Sequence, residues 1–277
     1  MRMMKMTLAF AAVMMATVSY GQKKEEPKKA LVLYYSQTTN TQKVAQEIAS
    51  RLGADMEEVV AVKPYDGDFQ ATINRSMKER QEGKTPDIKP LKADLSKYDV
   101  IFLGYPIWFG TYAPPVTTLL NQIDLAGKKV VPFCTFGSGG LETSIKDLAE
   151  KQPKAELLAG YGVRAARLDA MPKEVEQFLI ASGFLKGEYT PLKDFGTQQP
   201  VSAELSAIFD AAVGDYPMIR AKAKTVASRP IPGGTEYLFY AEDLPRGNAP
   251  QAPSAGQMQV YVTVLNGSAP VFTRVNR

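Results

Sequence analysis

The chain of 277 residues is 45% apolar and 22% charged, with a formal charge of +4. These are the proportions of an ordinary globular protein, long enough for one large domain or two modest ones. It contains no histidine, which excludes Ser-His-Asp and Cys-His catalysis and removes the commonest ligand for zinc or copper.

Met1 to Gly21 has the layout of a secretory signal. Arg2 and Lys5 form a positive start, Met6 to Val18 is apolar and uncharged, and small residues stand at Ser19 and Gly21. The apolar region is shorter than the roughly 20 residues a spanning helix needs. The segment therefore predicts export, to a bacterial periplasm or outside the cell, with no membrane span. Losing Arg2 and Lys5 takes the charge from +4 to +2, too small to argue for a nucleic-acid partner. Gln22 to Lys29, QKKEEPKK, reads as a charged tether.

Ala30 to Tyr35 is continuously apolar and aromatic, as in a strand buried on both faces. Val44, Ala45, Ile48, Ala49 and Leu52 then recur at helical spacing. Between them lie Ser36, Gln37, Thr38, Thr39, Asn40 and Thr41. A polar loop at a helix N-terminus suits a phosphate, because free N–H groups and the helix dipole favour an anion there. Capping by Thr38 or Asn40 is the alternative use of the same residues. There is no Walker-type lysine and no glycine fingerprint of the dinucleotide type.

The pattern continues with a strand over Asp55–Val62, a polar helix over Asp68–Gly83 and a strand over Tyr98–Gly104. A helix over Pro114–Ile123, a strand over Lys129–Thr135 and a helix over Leu141–Lys151 follow. A strand over Glu156–Arg164 and a helix over Pro172–Phe184 end the series. The only cysteine, Cys134, falls within an apolar run and is expected to be a buried, inert thiol. Five strand–helix alternations predict an α/β doubly wound parallel sheet, whose ligands bind beyond the carboxyl ends of the strands.

Two further loops follow such ends. Pro106, Ile107, Trp108, Phe109 and Gly110 put aromatic rings in a turn, as a flat ring to be stacked would require. Thr135, Phe136, Gly137, Ser138, Gly139 and Gly140 free the backbone to offer N–H and C=O groups. A phosphate cradle, an aromatic wall and a backbone-lined slot together suit a planar heteroaromatic bearing one phosphate, the shape of FMN.

YYSQTTNT, GYPIWFGTYAPPV and PFCTFGSGG resemble, in order and spacing, the three FMN-binding loops of the flavodoxins. The resemblance covers roughly Lys28 to Lys186. It implies strand order 2-1-3-4-5 and noncovalent FMN serving electron transfer. Ser36, Thr38, Asn40 and Thr41 would hold the phosphate. Pro106, Ile107, Trp108 and Gly110 would line one side of the ring system, and Thr135, Phe136, Gly137 and Gly140 the other. Flavodoxins usually carry T-G-N-T in the first loop; here Thr39 replaces the glycine, which strains the chain if that position needs a positive φ. No side chain is expected to act as nucleophile or general base, and no metal is expected. The flavin carries the electrons, the chain acts as a monomer, and the redox partner protein is unidentified.

Residues 30–188 would form this module and 189–200 a linker. Residues 201–277 would form a small α+β domain, with a helix over Ala203–Val213 and strands over Thr235–Ala241, Gln259–Leu265 and Phe272–Val275. A proline- and glycine-rich loop, Arg246–Gln257, lies between two of them. Its order resembles the cystatin-like fold, although Pro230–Gly234 lacks the Gln and Val of the inhibitory Q-x-V-x-G motif. It is expected to be either a docking module or a cover for the flavin edge. Two other functions fit the sequence: an NAD(P)H-dependent quinone or flavin reductase, and a binding protein with a vestigial flavin site.

Overall fold

The structure, a computed structural model, describes residues 29–65, 68–214, 216, 219–244 and 257–277. The expected export segment, the tether up to residue 28 and the loop from Arg246 to residue 256 lie outside them.

The first module runs through β1 (Ala30–Tyr34), α1 (Asn40–Leu52), β2 (Asp55–Glu58), α2 (Phe69–Gln81), β3 (Val100–Trp108), β4 (Thr111–Tyr112) and α3 (Pro114–Gln122). It continues with β5 (Lys129–Phe136), α4 (Leu141–Lys151), β6 (Glu156–Leu157), β7 (Tyr161–Arg164) and α5 (Met171–Ala181). The sheet order is β2-β1-β3-β5-β6, with β7 also on β5 and every one of these pairings parallel. With the hairpin strand β4 set aside and β6 and β7 read as one interrupted strand, this is the expected 2-1-3-4-5 order.

Period-two alternation explains why β1 is apolar throughout. Leu31, Leu33 and Tyr35 enter one core with Ile101, Leu103 and Leu119. Val32 and Tyr34 enter the other, with Ile48, Phe102 and Val175. The fifth strand is interrupted because its register on β5 slips by one residue, from Val130↔Leu157 to Phe133↔Tyr161. The slip lies opposite Pro132, which presents a carbonyl towards Gly160 but has no N–H for the ladder.

The second module holds β8 (Gln199–Pro200), α6 (Ala203–Val213), β9 (Ala221–Ile231), β10 (Gly234–Asp243), β11 (Gln257–Leu265) and β12 (Val271–Asn276). Its antiparallel sheet has the order β12-β11-β10-β9-β8. Phe209 and Val213 of α6 pack on Val226, Phe239, Val260, Phe272 and Val275. Two elements exceed the expectation. β9 was not anticipated, and β8 forms within the supposed linker, pairing with β9. The rest of that segment is also held to the sheet: the Gly196 N–H donates to Ser228 O at 2.9 Å, and Phe195 packs edge-on against Tyr261. Among the described residues, no helix is long and apolar enough to cross a membrane.

Candidate functional site

The three loops singled out above leave the C-terminal ends of β1, β3 and β5 and meet at one edge of the parallel sheet. In the first, Thr39 is the N-cap of α1 at φ 62° and makes no side-chain cap bond. A β-branched residue in the left-handed region is a strained outlier, so the condition raised for Thr39 is met. Ser36 Oγ accepts from the Gln42 N–H at 3.3 Å. Ser36 thus takes one N–H of the first turn, while Thr39 at the N-cap takes none. The positive end of α1 therefore faces a loop of small polar groups, with Thr38 and Thr39 exposed and Asn40 half-buried.

Two first-loop residues are tied into the scaffold. Thr41 is buried, and its hydroxyl shares a hydrogen bond of 2.8 Å with Thr135, joining the first and third loops below the surface. The Gln37 amide accepts from the Tyr35 hydroxyl at 2.8 Å and donates to the Tyr65 carbonyl. These bonds hold the loop against the aromatic residues.

The second loop is a tight hairpin. Trp108 pairs with Thr111, and Phe109 and Gly110 between them have φ of 52° and 88°. Positive φ at both central residues is the geometry that suits the twist of a two-residue hairpin. Phe109 is 48% exposed at its tip. Trp108 is half-buried and fixed by two edge-to-face contacts, with Tyr35 at 6.1 Å and Tyr65 at 5.1 Å. Tyr65 is held in turn: its hydroxyl donates to Glu79, and Arg75 lies 3.9 Å over its ring. Burial drives the Tyr35 and Tyr65 phenols well above the usual range. Both phenols therefore stay protonated, with the Arg75–Glu79 ion pair beside Tyr65. Composition pointed to Trp108 and Phe109 but gave no sign that Tyr65, a long way off in sequence, would buttress them.

In the third loop Thr135 and Phe136 are buried, and the Phe136 ring lies against Gly162, facing the core. Gly140, at φ 114°, closes on the second loop: a Cβ there would stand 2.7 Å from Ile107 Cγ2 and 3.1 Å from Gly110 O. Gly137, Ser138 and Gly139 turn towards the second module. The Gly137 carbonyl accepts from Arg164 Nε at 2.8 Å and the Ser138 carbonyl from the Val275 N–H at 2.7 Å. Behind the loop, Cys134 is fully buried and its thiol is pushed well above its ordinary value by burial, as expected of an inert residue.

The loops thus combine a helix start rimmed by hydroxyls, a fixed indole and a glycine turn that a side chain would fill. These features fit a thin ring system bearing a phosphate.

Comparison with known proteins agrees with this geometry. A flavodoxin family model matches residues 29–177. A provisionally assigned flavoprotein of Bacteroides eggerthii, known from its crystal structure, is 28% identical; the match covers 57% of this chain and 99% of that one, with a TM-score of 0.51. A flavoprotein of Lactobacillus acidophilus, solved in complex with FMN, is 29% identical over 49% of this chain and 93% of that one, with a TM-score of 0.45. An uncharacterized protein of Methanocaldococcus jannaschii is 30% identical over 125 residues, 44% of this chain and 65% of that protein's length. The match to the family model spans more than half of the sequence, and the chain belongs to the flavodoxin family.

Proposed function

We propose that this protein binds FMN noncovalently across its three loops and serves in electron transfer, as an exported carrier for a redox partner protein. The convergence of a hydroxyl-rimmed helix N-terminus with a buttressed indole at one sheet edge is the observation that carries this reading. The flavin supplies the redox chemistry when bound. The residues of the chain would bind and orient it: Ser36, Thr38 and the first N–H groups of α1 would hold the phosphate, and Trp108 would offer a fixed stacking face. The Met1–Gly21 pattern supports export. The helix crossing an antiparallel sheet in the second module supports a cystatin-like arrangement, one without the inhibitory motif.

The test is an absorbance spectrum of the purified protein, followed by titration of FMN into the apoprotein and its variants. A flavin band is expected, with tight binding weakened about tenfold by Trp108→Ala through lost stacking. Thr41→Val, which removes the hydroxyl shared with Thr135, should weaken it as well. No binding at high micromolar FMN would overturn the reading. Oxidation of NAD(P)H by the loaded protein alone would make it a reductase.

A further inference from the structure

The last strand of the second module is docked on the third loop of the first. β12 is an edge strand, and unpaired edge groups need a partner or a cover. Here they have partners in the first module. Val275 N–H donates to the Ser138 carbonyl at 2.7 Å, and the Phe272 carbonyl accepts from Arg164 Nη1 at 2.7 Å. Residues three apart on a regular strand point to opposite edges, but the β12–β11 register shifts between Tyr261 and Val262. That bulge brings Phe272 and Val275 to the same outer edge, with both side chains in the core.

Arg164 closes the contact from the other side. It ends β7 beside Phe136 of β5. Its guanidinium bonds Gly137 O and Phe272 O together, while lying 4.2 Å over the Phe272 ring and 5.0 Å over Tyr216. The flat, forked guanidinium suits this dual role, which an ammonium cannot copy. The loop's glycines are shaped to the same contact. A Cβ at Gly139 would overlap Val275 O, and one at Gly137 would meet the Tyr216 hydroxyl at 2.8 Å.

We propose that Arg164 is a positioning residue that locks β12 onto the third loop, so that the second module sets the shape and polarity of the flavin edge. The proposal rests on the FMN reading above. A loop with three glycines in four positions has much backbone freedom to lose on binding a ligand. Docking removes that loss in advance, which raises affinity. It also occupies the carbonyls of Gly137 and Ser138, so that these acceptor groups are withdrawn and a cation stands against the loop.

The experiment uses the full chain with Arg164→Ala, Arg164→Lys and Gly139→Ala, and reads three quantities: amide hydrogen exchange at Val275, FMN affinity and the flavin reduction potential. Arg164→Ala should speed Val275 exchange, weaken FMN about tenfold through the lost charge-assisted bonds, and shift the potential to more negative values. Arg164→Lys should fall between wild type and alanine. Gly139→Ala should loosen Val275 in the same way with Arg164 intact, and it carries the comparison should Arg164→Ala fail to fold. Faster exchange with unchanged affinity and potential would overturn the proposal and leave FMN binding standing. Wild-type protein that takes up no FMN would overturn both, and the exchange at Val275 would still report whether the modules dock.

Discussion

Thr39 and Phe109 are the two non-glycine residues with positive φ among the described residues, and both lie in loops of the candidate site. Strain held by the surrounding structure is a frequent property of such places. A left-handed non-glycine residue costs about 1–2 kcal/mol, and glycine loses about 0.5–1 kcal/mol of that advantage through unfolded-chain entropy. Thr39→Gly should therefore stabilise the protein by about 0.5–1 kcal/mol in urea unfolding; a loss of stability would show that the threonine is not strained. Much at this scale was legible. The hydroxyl-rich loop, the indole and the glycine turn stand where their residue types pointed, and the departure at Thr39 was visible against the family pattern. The inward turn of Phe136 and the tethering of Gln37 were not, because both depend on neighbours that only the fold supplies.

At the scale of elements, the parallel sheet could be read from uninterrupted apolar runs, since strands covered on both faces show no polar alternation. Gly104 shows how closely such strands are fitted: a Cβ there would overlap the Phe133 ring. Gly104→Ala should cost about 1–3 kcal/mol by overpacking, seen as a lower urea midpoint with an unchanged slope. At the sheet's edge, Asp55 accepts from the Tyr98 hydroxyl at 2.7 Å and pairs with Lys29 at 3.1 Å. The Tyr98 bond, then Lys29, hold its carboxyl below its ordinary value. A depressed folded-state pKa gives stability that is present above the unfolded value, near 3.9, and is lost as pH falls through the lower folded one. Asp55→Asn should thus be less stable than wild type at neutral pH, the difference closing only below about pH 4. One element escaped the reading, and another formed as read but without an apolar face. β9 alternates Ala221, Lys222, Ala223 and Lys224, a weak strand signal whose lysines point to solvent. α2 carries Phe69 and Met77 at helical spacing, yet leaves them 81% and 43% exposed. It is anchored instead through Arg75, which donates to the Lys63 and Pro64 carbonyls, and Glu79, which accepts from the Tyr65 hydroxyl.

At the scale of the whole molecule, a parallel α/β module and an antiparallel α+β module meet through backbone atoms. Ser138 O, Val275 N and Phe272 O are present in any sequence, so no residue type announced this junction. Arg164 alone marked it, and it looked like the ordinary end of a strand. The junction also bears on time. The third loop and β12 are far apart in the chain, and contacts between distant segments form late in folding. The first module, rich in neighbouring strand–helix contacts, can assemble while its third loop still lacks its partner. In stopped-flow refolding with FMN present, far-UV ellipticity should recover before flavin fluorescence is quenched, and the lag should shorten when β12 is stabilised. Cofactor loading would then follow completion of β12, so that a protein holding its flavin is one whose two modules have both already folded.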